Sequence, residues 1–398
     1  MKPIKYLQGT LLAAVALSLS GCSIFGGDEL TYKELQPFNE TVTPEVVWDE
    51  SAGGGIDDFF SRLNPVVSDN LVIAADRAGR VTAFDRESGD RVWQRDLQAE
   101  FAQSGEGWLG RAESLRISGG LSEYNDKVVL GTENGDLIAL NATDGQVLWH
   151  QKINAEILSN PALDATHAVV AAGNGEIFAF SMDDGEPLWS LPTDVPALTL
   201  RGTASPTLAS GGAIFGTATG KLSVVVTSNG QQAWETRLAV PKGATELQRL
   251  VDVDSTPLVR GNTIYNVAYN GQLAAVEIRN GRVIWQREYS SFQNLALQGS
   301  ILYVTDVDDR VYAINTDGGI ENWVNDDLEG RELTAPVYFN GQIVVGDDFG
   351  YLHFIDAKTG EMAGRLDVGD PIYVAPVVAE DKLYLQTRDG TLLAVRTN

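Results

Sequence analysis

The sequence predicts an all-β chain folded as an eight-bladed β-propeller, with the ring closed by a strand from near the N-terminus. Three observations carry this prediction. A glycine stands four residues before a tryptophan at Gly89/Trp93, Gly145/Trp149, Gly185/Trp189, Gly230/Trp234, Gly281/Trp285 and Gly319/Trp323, and Gly360/Gly364 is a degenerate seventh copy. A second series, Gly79, Gly135, Gly175, Gly220, Gly271, Asp309 as a substitute, Gly350 and Gly390, has spacings of 56, 40, 45, 51, 38, 41 and 40 residues. That period marks a four-stranded propeller blade, repeated eight times. Finally, the eighth unit stops after its third strand, Thr391 to Arg396, while Pro44-Glu45-Val46-Val47-Trp48 reads as a fourth strand with no blade before it.

Each unit reads as an antiparallel meander. In the second, Lys127-Val128-Val129-Leu130 leads through Glu133-Asn134-Gly135-Asp136 into Leu137-Ile138-Ala139-Leu140, then through Thr143-Asp144-Gly145 into Val147-Leu148-Trp149. Asn-Gly and Asp-Gly between short apolar runs mark tight turns, because Gly and Asn reach the required backbone conformations at low cost. The innermost strand opens at Pro65, Pro161, Pro206, Pro257, Pro336 and Pro376, and a strand's first residue needs no ladder donor. Residues 45–50 are expected to complete the last blade and remove an aggregation-prone edge. The tryptophans, Trp48 included, are expected to wedge between neighbouring sheets as core.

Composition narrows the function classes. With 54 acidic against 29 basic side chains and a net charge of -25, the chain lacks the clustered cations that bind a phosphate backbone, so nucleic acid is not an expected partner. One cysteine allows no internal disulfide, and His150, His167 and His353 are too scattered for a zinc site. No Ser/His/Asp ordering, P-loop or complete calcium loop is present. Asp306-Val307-Asp308-Asp309 reads as a solvated turn.

The N-terminus sets the compartment. Residues 1–21 carry Lys2, Lys5 and no acid, followed by an apolar run from Leu11 to Leu19, which is a secretory signal peptide. It ends in Leu19-Ser20-Gly21-Cys22, which resembles the lipobox of bacterial lipoproteins and implies lipidation of Cys22. Ser23, in place of an Asp, implies an outer-membrane anchor on the periplasmic side. Residues 22–43 are expected to be a lipidated N-terminus and flexible tether with a reach of roughly 25 Å, and residues 44–398 the propeller.

The repeat resembles that of quinoproteins, whose enzymes are dehydrogenases using pyrroloquinoline quinone and a divalent ion. The alcohol dehydrogenases of that class carry a vicinal cysteine pair that this chain lacks, so no enzyme activity and no cofactor are expected. A periplasmic quinoprotein-like oxidoreductase, or a propeller holding a small ligand in its channel, are the alternatives.

What signal of function remains lies in the links between blades, which share one face of the disc. Extra chain falls at residues 98–118, which contain the non-repeat Trp108, and at 238–252. Arg201 stands five residues before Pro206, while Asp252 and Asp254 stand five and three before Pro257. A cation and two anions thus occupy matching positions on adjacent blades, beside Leu198 and Leu200. They form either an intramolecular pair steadying two loops or a binding cluster.

The lipobox, the tether, the eight blades and the stretches Leu198-Thr199-Leu200-Arg201-Gly202 and Arg249-Leu250-Val251-Asp252-Val253-Asp254 together resemble the BamB family, the lipoprotein subunits of the β-barrel assembly machinery. The resemblance implies a non-enzymatic scaffold on the outer membrane that assists folding and insertion of outer-membrane proteins. It also implies that Leu198, Leu200, Arg201, Asp252 and Asp254 contact the POTRA domains of BamA. Exposed blade edges offer unfolded outer-membrane clients a place to add a strand.

Overall fold

The structure is a computed structural model that describes residues 32–59, 61–101, 114–200 and 204–398. Among the described residues the chain forms eight antiparallel four-stranded sheets. Blade 1 runs from its inner strand Val66–Ser68 through Leu71–Ala75 and Arg80–Asp85 to the outer strand Arg91–Asp96. Blades 2 to 7 repeat this order from inner strands Ile117–Tyr124, Ala162–Leu163, Thr207–Ala209, Leu258–Arg260, Ala296–Gln298 and Val337–Phe339. Blade 8 starts at Val377–Ala379, continues through Lys382–Gln386 and Thr391–Thr397, and takes its outer strand from Pro44–Ser51. Inner strands of neighbouring blades pack together, and Val377–Ala379 packs on Val66–Ser68, which closes the ring. The predicted prolines stand immediately before six of the eight inner strands.

Closure is as the sequence predicts. Pro44–Ser51 pairs antiparallel with Thr391–Thr397, Pro44 opposite Thr397 and Ser51 opposite Thr391. The last blade therefore presents a paired strand where the chain would otherwise leave an open ladder.

The tryptophans act as expected, and the glycines are their sockets. Each ring sits over the turn glycine of the next blade: a Cβ on Gly145 would lie 2.7 Å from Trp93, and one on Gly281 would lie 2.5 Å from Trp234. Both glycines have φ near +70°, so turn geometry and close approach each exclude a side chain. Each indole N–H donates to a carbonyl of that next blade, as from Trp93 to Ala142 at 2.8 Å and from Trp189 to Thr227 at 2.7 Å. Ring area and a satisfied donor thus join one sheet to the next.

Gly364 breaks the tryptophan series for a reason visible in the structure. Blade 8 has no turn between its third and outer strands, because the outer strand arrives from the N-terminus. The incoming chain fills that space: the amides of Thr41 and Val42 donate to the Ala363 carbonyl at 2.9 and 3.0 Å, and a Cβ on Gly364 would meet the Val42 carbonyl at 2.6 Å. A tryptophan here would collide with the closing segment.

That segment corrects the expectation of a flexible tether up to residue 43. From Tyr32 onward the chain is a strap laid along blade 7, held because it carries apolar side chains at intervals. Tyr32 packs on Phe349 at 4.6 Å, Leu35 enters the core between blades 6 and 7, and Phe38 lies under the Arg365 guanidinium at 4.9 Å. Lys33 pairs with Asp326 at 2.9 Å and Glu329 at 3.2 Å, and its amide donates to the Glu329 carbonyl. Beneath the strap, Arg331 donates to the fully buried Asp347 at 2.7 Å while its guanidinium stacks on Phe349 at 4.3 Å.

Asp309 takes the glycine slot of blade 6 with φ +62°. Its carboxylate is not a solvated ornament: it accepts the amides of Glu332 and Leu333, each at 2.8 Å, and ties the turn to the next link.

Candidate partner-binding face

In an antiparallel meander, the link from an outer strand to the next inner strand emerges on the same side as the turn between the second and third strands. The structure bears this out in its hydrogen bonds, with Thr193 donating to Gly175, Leu238 to Gly220 and Val368 to Gly350. One face of the disc therefore collects every long link. The links from blade 3 to 4 and from blade 4 to 5 lie side by side there.

The two links meet at Leu200 and Asp252. Leu200 and Asp252 line one cavity at the join, and the Val253 amide next to Asp252 donates to the Thr217 carbonyl at 3.3 Å. Leu200 is half-buried and lines a cavity of about 280 Å³ with Leu158, Val195, Thr217 and Asp252, whereas Leu198 is 42% exposed. Arg201 lies outside the described residues.

The aspartates are not the exposed rim charges that the spacing suggested. Asp252 and Asp254 are 4% and 3% exposed. Burial, reinforced by the neighbouring Asp254 charge, pushes the Asp252 carboxyl up to about 8, against the pull of the Val253 amide and of Arg62. Burial also raises Asp254, although Arg62 opposes it. Among the described residues one oxygen of each, Asp252 Oδ2 and Asp254 Oδ1, has no hydrogen-bond partner.

Arg62 is the residue sequence reasoning missed. It lies on the link into blade 1, opposite blade 5 in a ring of eight, and its Nη2 reaches Asp254 Oδ2 at 2.9 Å and the Asp254 carbonyl at 3.3 Å. The pair crosses the mouth of the central channel. Neighbouring residues extend the strut: Asn160 donates to Asn64 at 2.8 Å and Tyr373 to the Leu63 carbonyl at 2.7 Å. No sequence signal connects positions 192 residues apart. A conspicuous Arg in a link rich in Gly and Asp was the only hint.

The channel holds a cavity of about 740 Å³ beside this strut. Some of its polar groups are engaged with one another: Gln293 donates to the Leu333 carbonyl at 2.8 Å, the Thr256 amide to Asn294 at 2.8 Å, and Arg388 to Asp348 at 2.9 Å, while the buried Arg388 Nε has no hydrogen-bond partner among the described residues. Among the described residues no group of three His, Cys, Asp or Glu is placed to hold a metal ion.

Of the other sequence-selected positions, Cys22 and Trp108 lie outside the described residues. The 98–118 insertion begins as a short helix, Leu97–Phe101, whose Phe101 ring packs on His150 at 4.5 Å, and it returns to the core at Leu115 and Ile117.

Comparison with known proteins accords with this architecture. The family model described as Outer membrane protein assembly factor BamB matches residues 32–115, 77–325 and 308–398. Proteins of that name from Shewanella oneidensis and Escherichia coli (strain K12) are 42% and 40% identical, over 98% and 95% of this chain and equal shares of their own. The crystal structure of BamB from Moraxella catarrhalis superposes with a TM-score of 0.77 at 26% identity, covering 89% of this chain and 99% of that one. A quinohemoprotein alcohol dehydrogenase from Pseudomonas putida HK5 reaches a TM-score of 0.68 at 11% identity, covering 89% of this chain and 76% of its own, a likeness of fold alone. On matches that span nearly the whole of both chains, this protein belongs to the family of the outer membrane protein assembly factor BamB.

Proposed function

We propose that this chain is a non-enzymatic scaffold of the β-barrel assembly machinery, which binds the POTRA domains of BamA and assists folding and insertion of outer-membrane proteins. It acts at the outer membrane, anchored through a lipid on Cys22 and facing the periplasm. The observation that carries the contact is the meeting of two links at Leu200 and Asp252, with Leu198 exposed beside them. Leu198, Leu200 and Arg201 supply the contact, and the buried Asp252 and Asp254 set the position of the link that supports it. An oxidoreductase reading has less support, because relatives matched over nearly the whole chain are named as assembly factors, while the likeness to the quinohemoprotein dehydrogenase is one of fold at 11% identity. Unpaired outer strands remain a route for unfolded clients to add a strand.

Leu200→Ala and Arg201→Ala test the contact. An apolar side chain buried on binding contributes about 1.5 to 3 kcal/mol, so affinity for purified POTRA domains should fall by about tenfold or more. The Leu200→Ala midpoint should fall by a few degrees at most, because that side chain is only half-buried, so the loss of affinity is read on a folded protein. Calorimetric titration that finds unaltered affinities would remove the assignment of this face.

Cys22→Ala tests the anchor. The variant should leave the outer-membrane fraction and appear in the soluble periplasm, because a thioether-linked lipid is the attachment proposed. Undiminished membrane residence of the unlipidated form, read by fractionation, would show that partner binding holds the protein there.

A further inference from the structure

The proposed contact face continues onto the link from blade 4 to blade 5, and this link is built to display a side chain. Thr245-Glu246-Leu247-Gln248 forms a reciprocal capping box: the Gln248 amide donates to Thr245 Oγ1 at 3.2 Å, while Gln248 Oε1 accepts the amides of Ala244 and Thr245 at 3.0 and 3.3 Å. The Arg249 amide closes the turn on the Thr245 carbonyl at 3.1 Å, and Asn270 donates to the Leu250 carbonyl at 2.8 Å. Leu250 and Val251 are buried underneath. The turn so fixed holds Leu247 outward at 71% exposure, the highest value among the exposed large hydrophobic side chains, with Val240 beside it at 52%. A loop that spends this many bonds on one conformation and leaves its leucine in water is pre-organised for a partner.

Charge identifies that partner's chemistry. Residues 194–250 carry five basic and three acidic side chains, in a chain with 29 basic and 54 acidic overall. The balance over this stretch is thus mildly basic in a strongly acidic chain, up to the buried Asp252 and Asp254 that follow it. A groove of about 310 Å³ runs between the two links, lined by Pro196, Leu198, Pro241 and Leu250, with three cations, Lys221, Arg237 and Arg249, against two acids, Asp194 and Glu246. Both arginines are exposed and have no ion-pair partner among the described residues.

We infer that the capped turn at 245–248 and the groove beside it form a second contact for the domain that engages Leu198 and Leu200. It takes an acidic surface of that domain, which receives Leu247 in an apolar pocket and sets carboxylates against Arg237 and Arg249. This inference rests on the proposed POTRA contact. It adds to that reading an anchor outside the Leu198–Arg201 stretch and a sign of charge on the partner. Salt then screens the second contact and leaves the apolar part of the first.

The test is titration of the mature chain with the POTRA domains of its cognate BamA. Leu247→Ser and Arg249→Glu are made singly, with Leu200→Ala alongside. We expect Leu247→Ser to weaken binding by about tenfold. Arg249→Glu should weaken it by about tenfold at low salt and by much less at 0.5 M salt, with the melting midpoints of Leu247→Ser and Arg249→Glu unchanged because both residues are exposed. If Leu200→Ala lowers affinity while Leu247→Ser and Arg249→Glu leave it unchanged, the second contact is overturned and the first stands. If none of the three matters, both are overturned. If Arg249→Glu instead abolishes binding to phosphatidylglycerol vesicles without altering the POTRA titration, the basic sector faces a membrane and the inference fails.

Discussion

Deletion of residues 22–50 is expected to leave no stable monomer. The deletion removes the strand Pro44–Ser51 and exposes the full ladder of Thr391–Thr397, an edge open to pairing with other chains. It also removes Trp48, which is 9% exposed, packs against Tyr384 at 5.9 Å and fills the socket at Gly89. Loss of one such aromatic costs about 3 to 5 kcal/mol by itself, and here the seam between blades 8 and 1 opens as well. Deletion of residues 22–40 should be milder yet measurable. It strips Tyr32, Leu35 and Phe38 and uncovers the Arg331–Asp347 pair, so the midpoint should fall by a few degrees without aggregation. Melting curves with light scattering separate the two, and equal behaviour of both truncations would refute closure by the N-terminal strand.

The second large effect is expected at the strut across the channel mouth. Arg62→Ala leaves Asp254 buried without its cation, and breaking a buried pair from one side is costly. Asp254 can escape only by taking up a proton. Breaking such a pair from one side costs about 3 to 5 kcal/mol, so a loss of that order is expected near neutral pH and a smaller one at pH 5, where a carboxyl that burial already raises takes up a proton more easily. Asp254→Ala should cost less, since Arg62 is 15% exposed and can turn toward the channel.

Asp252→Asn should act in the opposite direction. A carboxyl raised from 3.8 to about 8 stabilises the fold fully below its unfolded pKa, and that contribution is lost as pH rises through the folded one. The asparagine variant should therefore melt with wild type at pH 4 and above it at pH 8.5. Denaturant titration across that range reads the difference. A wild type whose stability relative to Asp252→Asn did not fall between those pH values would show that Asp252 is ionised throughout.

Local repetition determined what the sequence could disclose by itself. Each blade touches mainly its neighbours, so the glycine turns, the tryptophans and the strand prolines recur at the blade period, and the count of eight, the wedging rings and the closing strand could all be read from spacing. Gly364 was legible as a gap in that series, but not as the passage of the closing segment. The links carry no period, and there the tertiary structure decided. Arg201, Asp252 and Asp254 align by counting back from equivalent prolines, yet counting could not say that Asp252 and Asp254 are buried, because Asp252 is covered beside Leu200 of the neighbouring link and Asp254 by Arg62 arriving from the opposite side of the ring. Nor could composition show that residues 32–43 are a strap: a segment with aromatic side chains at irregular intervals looks like a tether until the grooves that receive Tyr32, Leu35 and Phe38 exist. Contacts between near neighbours leave a periodic trace in a sequence. Contacts across the ring and along its outer wall do not, since nothing in either partner alone specifies the other.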